Sequence, residues 1–218
     1  MTKASDYETL HETHQHDKVR RYETALRCLR QVRRVRPFAS AVDFGCGIGV
    51  WLCAAKALGA TKVLGLEGEW IKNSAHMLAE DEMVVLNLQG AALDFKKIFD
   101  LAISIEVGEH LIPAAADAYC DSLCRSADFI LFSAAIPGQG GVDHVNEQPP
   151  RYWVDKFWAR DFVPLELLRP YIAGDAHILP WIRQNIMAFV AYDVLLREPE
   201  LVRYALPRQH FSIKYAPL

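Results

Sequence analysis

Residues 41–50, AVDFGCGIGV, decide the fold. A short apolar strand runs into Asp43 and then into a turn with glycines at 45, 47 and 49, after which Trp51 to Leu58 reads as a helix. Strand, glycine loop and helix N-terminus in this order let backbone N–H groups approach a ligand closely, because no Cβ stands in the way. The stretch therefore reads as a binding loop, and its neighbours must say what it binds.

Working outward, the pattern alternates strand and helix. Ala41–Gly45 is strand one, Trp51–Leu58 a helix, Lys62–Glu67 strand two, Ile71–Leu78 a second helix and Met83–Leu88 strand three. Phe99–Glu106, Phe129–Ala135, Phe162–Leu167 and Asn185–Val194 read as the remaining strands, with helices over Ala114–Arg125 and Tyr152–Arg160. Such alternation predicts a Rossmann-like, doubly wound α/β fold with a mostly parallel seven-stranded sheet and helices on both faces. Ligands then belong just beyond the carboxyl ends of the strands. Residues 170–184 read as a small inserted helical or lid segment, the tail from Arg197 as irregular, and no internal repeat is present.

The chain has 218 residues, 51% of them hydrophobic, enough for one domain with a sizeable core. We expect a single domain over 1–218, with 1–36 as an N-terminal lid and basic helix and 137–184 as an acceptor-side loop and insertion. In that lid His11, His14 and His16 precede Asp17, a candidate cap for a helix whose apolar residues Val19, Tyr22, Leu26, Leu29 and Val32 recur at helical spacing. Lys18, Arg20, Arg21, Arg27, Arg30, Arg33, Arg34 and Arg36 make that helix cationic, and Pro37 ends it. Tyr152, Trp153, Phe157 and Trp158 at helical spacing read as core.

The net charge of −3 gives no global attraction to nucleic acid or an anionic membrane, and no apolar run reaches the roughly 18 residues of a membrane span. The polar N-terminus does not read as a signal peptide, so a cytoplasmic location is expected. Cys28, Cys46, Cys53, Cys120 and Cys124 are odd in number and without a CxxC pair, which fits reduced thiols.

Charge decides between ligands of the glycine loop. A dinucleotide fingerprint reads GxGxxG, whereas here the third glycine comes one residue early and position 50 is valine. Asp43 borders the loop, Glu67 and Glu69 follow strand two, and no Lys or Arg occurs between Pro37 and Ala55, a field that repels pyrophosphate. It suits a cationic nucleoside such as S-adenosyl-L-methionine, with Glu67 as acceptor for ribose hydroxyls.

At this point the chain resembles a known family. VDFGCGIG is similar to motif I of the class I S-adenosylmethionine-dependent methyltransferases, LGLEGEW to their second motif and FDLAISIEVGEHL to their strand-four segment, together covering residues 40–136. The resemblance implies that Asp43, Gly45, Cys46, Gly47 and Gly49 surround the methionine part, Glu67 and Gly68 take the ribose, Trp70 covers the nucleoside and Asn87 and Leu88 frame the adenine. Glu106 stands beside the cofactor, and the product is S-adenosyl-L-homocysteine.

In-line methyl transfer needs positioning more than covalent help, and a hydroxyl acceptor must also lose its proton. His144, His110 and Glu106 are the catalytic candidates, His144 ranked first. Glu106, Glu109 and His110 also have the ExxEH spacing that resembles ubiquinone-type O-methyltransferases, where such residues hold a divalent cation; we expect no metal and keep that set as the alternative. PGQGGVDHVNEQPPRYW with the later PWIRQN resembles a bacterial small-molecule or carbohydrate-associated subgroup, which implies His144, Asn146, Glu147, Gln148, Arg183 and Asn185 as acceptor-binding groups or, equally, as fixings of the loop.

The expected function is methyl transfer to a small polar acceptor, most readily a hydroxyl oxygen of a natural-product, sugar or glycan-type substrate. Alternatives are N-methylation of a small molecule or a non-catalytic S-adenosylmethionine-binding partner protein. An NAD(P)-dependent oxidoreductase is disfavoured by the glycine spacing. Nucleic acid is disfavoured as substrate because SIEVGEH replaces the Asn/Asp-Pro-Pro-aromatic motif of base methylation. A homo-oligomer is compatible with the sequence.

Overall fold

The structure, a computed structural model, describes residues 17–90 and 92–207. The three histidines of the N-terminal segment lie outside the described residues. Seven strands form one sheet in the order β3-β2-β1-β4-β5-β7-β6: β1 Ser40–Phe44, β2 Lys62–Glu67, β3 Met83–Val85, β4 Leu101–Ile105, β5 Phe129–Ser133, β6 Phe162–Leu165 and β7 Met187–Ala191. The first five run parallel, and β7 inserts antiparallel between β5 and β6. This is the doubly wound architecture expected from the alternation of elements.

The helices are α1 Lys18–Val35, α2 Val50–Ala57, α3 Ala116–Cys124, α4 Pro150–Trp158, α5 Arg169–Ile172, α6 Pro180–Asn185 and α7 Tyr192–Arg197. From the centre of the sheet the chain steps one way through β1, α2 and β2, and the other way through β4, α3 and β5. Right-handed crossovers then place α2 and α3 on opposite faces. They also open a crevice between the carboxyl ends of β1 and β4, where the strand order reverses. The ends of β1 and β4 are held in register at the other edge by Asp100, whose carboxylate accepts the N–H groups of Ala39 and Ser40 and the Ser40 hydroxyl at 2.8–2.9 Å.

The core is continuous across the sheet, and its acceptor-side half is aromatic: Phe132, Trp153, Phe157 and Phe189 are buried, with Phe157 and Phe189 at 4.2 Å between ring centroids. Trp153 and Phe157 are core as expected, while Tyr152 and Trp158 are only partly buried against it.

Three expectations are corrected. The second helix, Ile71–Leu78, does not form; a short 3-10 turn, Glu69–Asn73, is followed by irregular chain, because His76 and the run to β3 offer no continuous apolar face to pack. On α1 Leu29 and Val32 are buried and Tyr22 and Leu26 pack against the core as expected, but Val19 is 74% exposed, and Thr24, Ala25 and Cys28 complete the buried stripe. Asp17 stands at the N-cap position of α1 but its side chain makes no capping hydrogen bond. The basic face of α1 is also less free than its charge suggests. Arg27 pairs with Asp175 at 2.8 Å, Arg36 with Glu198, and Arg33 donates to the Leu58 carbonyl.

Candidate functional site

The loop after β1 turns because its glycines accept positive φ. At Gly45, φ is +77°, and a Cβ there would lie 2.5 Å from a Val107 methyl; at Gly49, φ is +88° and a Cβ would meet Leu78 at 2.6 Å. Any side chain at either position would push the loop off the strand ends. Glu67 at the end of β2 then closes the loop from the side: its carboxylate accepts the Gly47 and Gly68 N–H groups at 2.7 Å each and the Trp70 indole N–H at 3.0 Å.

The crevice opens into a cavity of 720 Å³, a size that takes a nucleoside cofactor together with a small molecule. Gly45, Cys46, Gly47, Glu67, Gly68 and Trp70 line one side with Asn87 and Leu88, as expected for cofactor-facing groups. Asp43 and Gly49 do not line it. Asp43 is buried behind the loop, where burial first and the Glu67 charge second hold its carboxyl well above the usual range. Glu67 is itself pushed up by burial, partly offset by its three N–H donors.

The opposite side is built from β4 and the loop after β5. Glu106, Glu109, His110 and His144 all line the cavity. Glu106 holds a left-handed φ of 55°, a strained conformation for a non-glycine residue and of the kind that clusters at working sites. Its carboxylate accepts Gln139 Nε2 at 3.0 Å and Asn185 Nδ2 at 3.3 Å, and Asn185 also donates to Gln139 Oε1 at 2.8 Å. Burial raises the Glu106 carboxyl above its ordinary value despite these donors.

Glu109 is 1% exposed, and neither carboxylate oxygen has a hydrogen-bond partner of normal geometry. Burial and the neighbouring Glu106 charge push it up to about 9, with backbone N–H groups of Glu109 and Ala135 only partly compensating. The His144 ring stands over it, Nε2 at 3.9 Å from Glu109 Oε1, and meets the His110 ring edge to face at 5.0 Å. Burial and His144 lower His110 to about 4, so its ring is neutral at pH 7. His144 Nδ1 bonds Glu147 Oε1 at 2.8 Å, and Glu147 in turn accepts the N–H groups of Gly138 and Gly140 at 2.8 and 2.7 Å. Gly141 gives the His144 ring its room: a Cβ on Gly141 would lie 2.3 Å from Nε2.

Of the six acceptor-side residues expected from the sequence, only His144 lines the cavity. Asn146 is buried and donates to the Gly108 carbonyl, Gln148 donates to Asn146, and Glu147 staples the loop, so these three fix its shape. Arg183 donates to the Ala173 carbonyl, and Asn185 orients Glu106. The cavity wall includes residues the sequence reading did not select: Arg21 and Thr24 of α1, Gln139 of the loop, and Leu179, Trp181 and Ile182 of the segment before β7. Gln139 sits inside the glycine-rich loop and Trp181 inside PWIRQN, both stretches already singled out; nothing in the pattern of α1 distinguishes Arg21 from its neighbouring arginines. α1 is joined to that segment by the Leu179 N–H donating to Thr24 Oγ1 at 3.2 Å and by the Arg27–Asp175 pair.

No protein-family model matches the chain, and no curated protein matches it significantly. Solved structures do. A chain of the complex between the Haloferax volcanii Trm112 methyltransferase activator and a methyltransferase aligns over 86% of this chain and 96% of its own, with a TM-score of 0.58 at 15% identity. The sugar N-methyltransferase KedS8 from Streptoalloteichus sp ATCC 53650 aligns over 77% and 86%, with a TM-score of 0.56 at 14% identity. The plantazolicin methyltransferase BpumL, in complex with a substrate analogue and S-adenosylhomocysteine, aligns over 84% and 87%, with a TM-score of 0.54 at 12% identity. The protein has the class I methyltransferase fold. Among the described residues no helix is long and apolar enough to cross a membrane.

Proposed function

We propose that the protein is an S-adenosylmethionine-dependent methyltransferase acting on a small polar acceptor, at a hydroxyl oxygen. The observation that carries this reading is the position of the glycine loop and Glu67 on one side of a single 720 Å³ cavity, with Glu109, His110 and His144 on the other. The residues fit the cofactor. Glu67, Glu106 and Glu109 line the cavity with carboxyls raised by burial, and Arg21 is the one Lys or Arg among its described lining residues, so acids outnumber cations there. A sulfonium with an ammonium supplies what the cavity lacks. When bound, the cofactor provides a methyl group on sulfur for in-line displacement.

The chain's own residues then do three things. Glu67, backed by Gly47 and Gly68, offers a fixed carboxylate to ribose hydroxyls. Trp181, Leu179, Ile182 and Val142 shield the reacting side from water. The imidazole of His144, with the neutral ring of His110 beside it, receives the proton that the acceptor hydroxyl gives up as oxygen bonds to the methyl carbon. The measurement is calorimetric binding of S-adenosylhomocysteine followed by mass-spectrometric detection of methylated products across panels of sugars, phenols and amines. Absence of cofactor binding would remove the reading.

A second reading, N-methylation, has its own support in the unpartnered Glu109 carboxylate, which would hold an ammonium group next to the transfer point. Methylation of amines with none of hydroxyls in the same panel would select it. Cofactor binding with no transfer to any acceptor would select the non-catalytic role.

A further inference from the structure

We propose that Glu147 is a positioning residue for methyl transfer: it keeps the proton of His144 on Nδ1 and presents the lone pair of Nε2 to the acceptor hydroxyl. The catalytic part of this assignment rests on the methyltransferase reading; the state of the ring does not.

The bonds around Glu147 decide which ring nitrogen carries the proton. Its Oε2 accepts the Gly138 N–H at 2.8 Å, while Oε1 accepts the Gly140 N–H at 2.7 Å and lies 2.8 Å from His144 Nδ1. The bond to His144 and the two glycine N–H groups hold the Glu147 carboxyl below its ordinary value. An ionised carboxylate can only accept, so Nδ1 is the donor, and the other nitrogen of the neutral ring has a free lone pair. One side chain three residues along the chain from the histidine thus shapes the glycine turn and selects the tautomer.

The ring is aimed as well as protonated. His144 lines the cavity, and its plane is set by the His110 ring, which it meets at 85° with centroids 5.0 Å apart. Val145 and Asn146, the residues that follow it, donate their N–H groups to the Glu109 carbonyl at 2.9 and 3.0 Å, which pins this part of the loop to the turn after β4. Gly141 leaves the space that Nε2 occupies. Turning the ring over to exchange its nitrogens would break the bond to Glu147.

The titratable groups facing the ring are Glu106, Glu109 and His110 from the turn after β4 and Glu147 from its own loop. Glu106 is engaged by Gln139 and Asn185. Glu109, pushed up to about 9, already holds its proton at pH 7, and His110, lowered to about 4, is too weak a base to keep one. As the acceptor oxygen bonds to the methyl carbon, the carbon–sulfur bond breaks with its electron pair going to sulfur, and the hydroxyl proton passes to His144 Nε2. The imidazolium so formed is stabilised by the charge-assisted bond from Nδ1 to Glu147, and Nε2 returns its proton to water once the product has left.

The test uses the full chain, labelled with ¹⁵N in histidine and saturated with S-adenosylhomocysteine, with ring signals read by long-range ¹H–¹⁵N NMR and assigned against His144→Gln. The neutral ring of the wild type should show a protonated Nδ1 and an unprotonated Nε2. In Glu147→Gln the kcat for whichever panel acceptor turns over should fall by about a hundredfold or more, with its KM and the S-adenosylhomocysteine affinity kept within about threefold. Glu147→Asp, which keeps the charge, should retain more activity than Glu147→Gln, which keeps the size. The proposal is overturned if the wild-type ring carries its proton on Nε2, if Glu147→Gln keeps its kcat, if cofactor affinity falls along with kcat, or if Glu147→Gln is more active than Glu147→Asp. No turnover of any acceptor by a wild type with the Nδ1-protonated ring would sink the methyltransferase reading and the catalytic role together, whereas the wrong ring state in an active enzyme sinks this assignment alone.

Discussion

The two walls of the cavity are made in different ways. The donor wall is contiguous in sequence and mostly backbone: a strand end, three glycines and one carboxylate 18 residues further on, with the N–H groups of Gly45, Cys46, Gly47 and Gly49 bonded within the protein. The acceptor wall is assembled from four distant segments, α1, the turn after β4, the loop after β5 and the stretch before β7, and is held by side chains. A backbone wall tolerates almost no substitution at its glycines, while a side-chain wall can be refitted piece by piece. On the proposed methyltransferase reading, the difference lets one fold keep a donor and vary an acceptor.

The comparison can be broken most sharply at Gly45. Gly45→Val combines a left-handed φ with a Cβ 2.5 Å from Val107, and should cost about 3 kcal/mol, a fall in Tm of roughly 10 °C by calorimetry, with cofactor binding lost. If the variant folds and binds normally, the donor wall is not rigid. Next in size is Glu67→Ala, expected to weaken S-adenosylhomocysteine on the order of a hundredfold, about 2.7 kcal/mol, by titration calorimetry. A change under threefold would mean that this carboxylate is structural only.

On the other wall, Arg27→Ala removes the half-exposed pair with Asp175. Stability should fall by no more than about 1 kcal/mol and cofactor affinity should stay put, while KM for the acceptor rises severalfold. An equal loss in cofactor affinity would show that the walls are not independent. The smallest effect concerns the outer face, where α3 and α4 are joined through Asp117 to Lys156 and Arg160. The hydrogen bond from Lys156, with help from Arg160, holds the Asp117 carboxyl below its ordinary value. Its contribution is present above the unfolded value near 3.8 and is lost as pH falls through the lower folded value. Urea midpoints of wild type and Asp117→Asn should therefore differ at pH 7 and converge below pH 4.

The same division sets what could be read from the chain. Strand and helix alternation, the glycine loop and Glu67 were legible because each depends on local pattern or on residues with few conformational alternatives. Ile71–Leu78 was misread because the strand–helix alternation was extended over IKNSAHML, in which, of the described residues, only Ile71 and Leu78 are buried and no helical face is available to pack. The acceptor side was half legible: His144, His110 and Glu106 were found because their chemistry is rare, but Asn146, Glu147 and Gln148 face the loop rather than the cavity. Arg21, Thr24 and Trp181 were missed because their place depends on how α1 and the segment before β7 fold back, which no local spacing encodes.

The Gln139 side chain gives Glu106 one of its hydrogen bonds while taking another from Asn185. An amide used from both ends has a chemical lifespan. Deamidation of Gln139 would replace the donor facing Glu106 with a second carboxylate, changing an attraction into a repulsion between buried acids and loosening the loop that carries His144. A change of one mass unit in an ageing sample would then register as loss of the acceptor wall, with the donor wall intact.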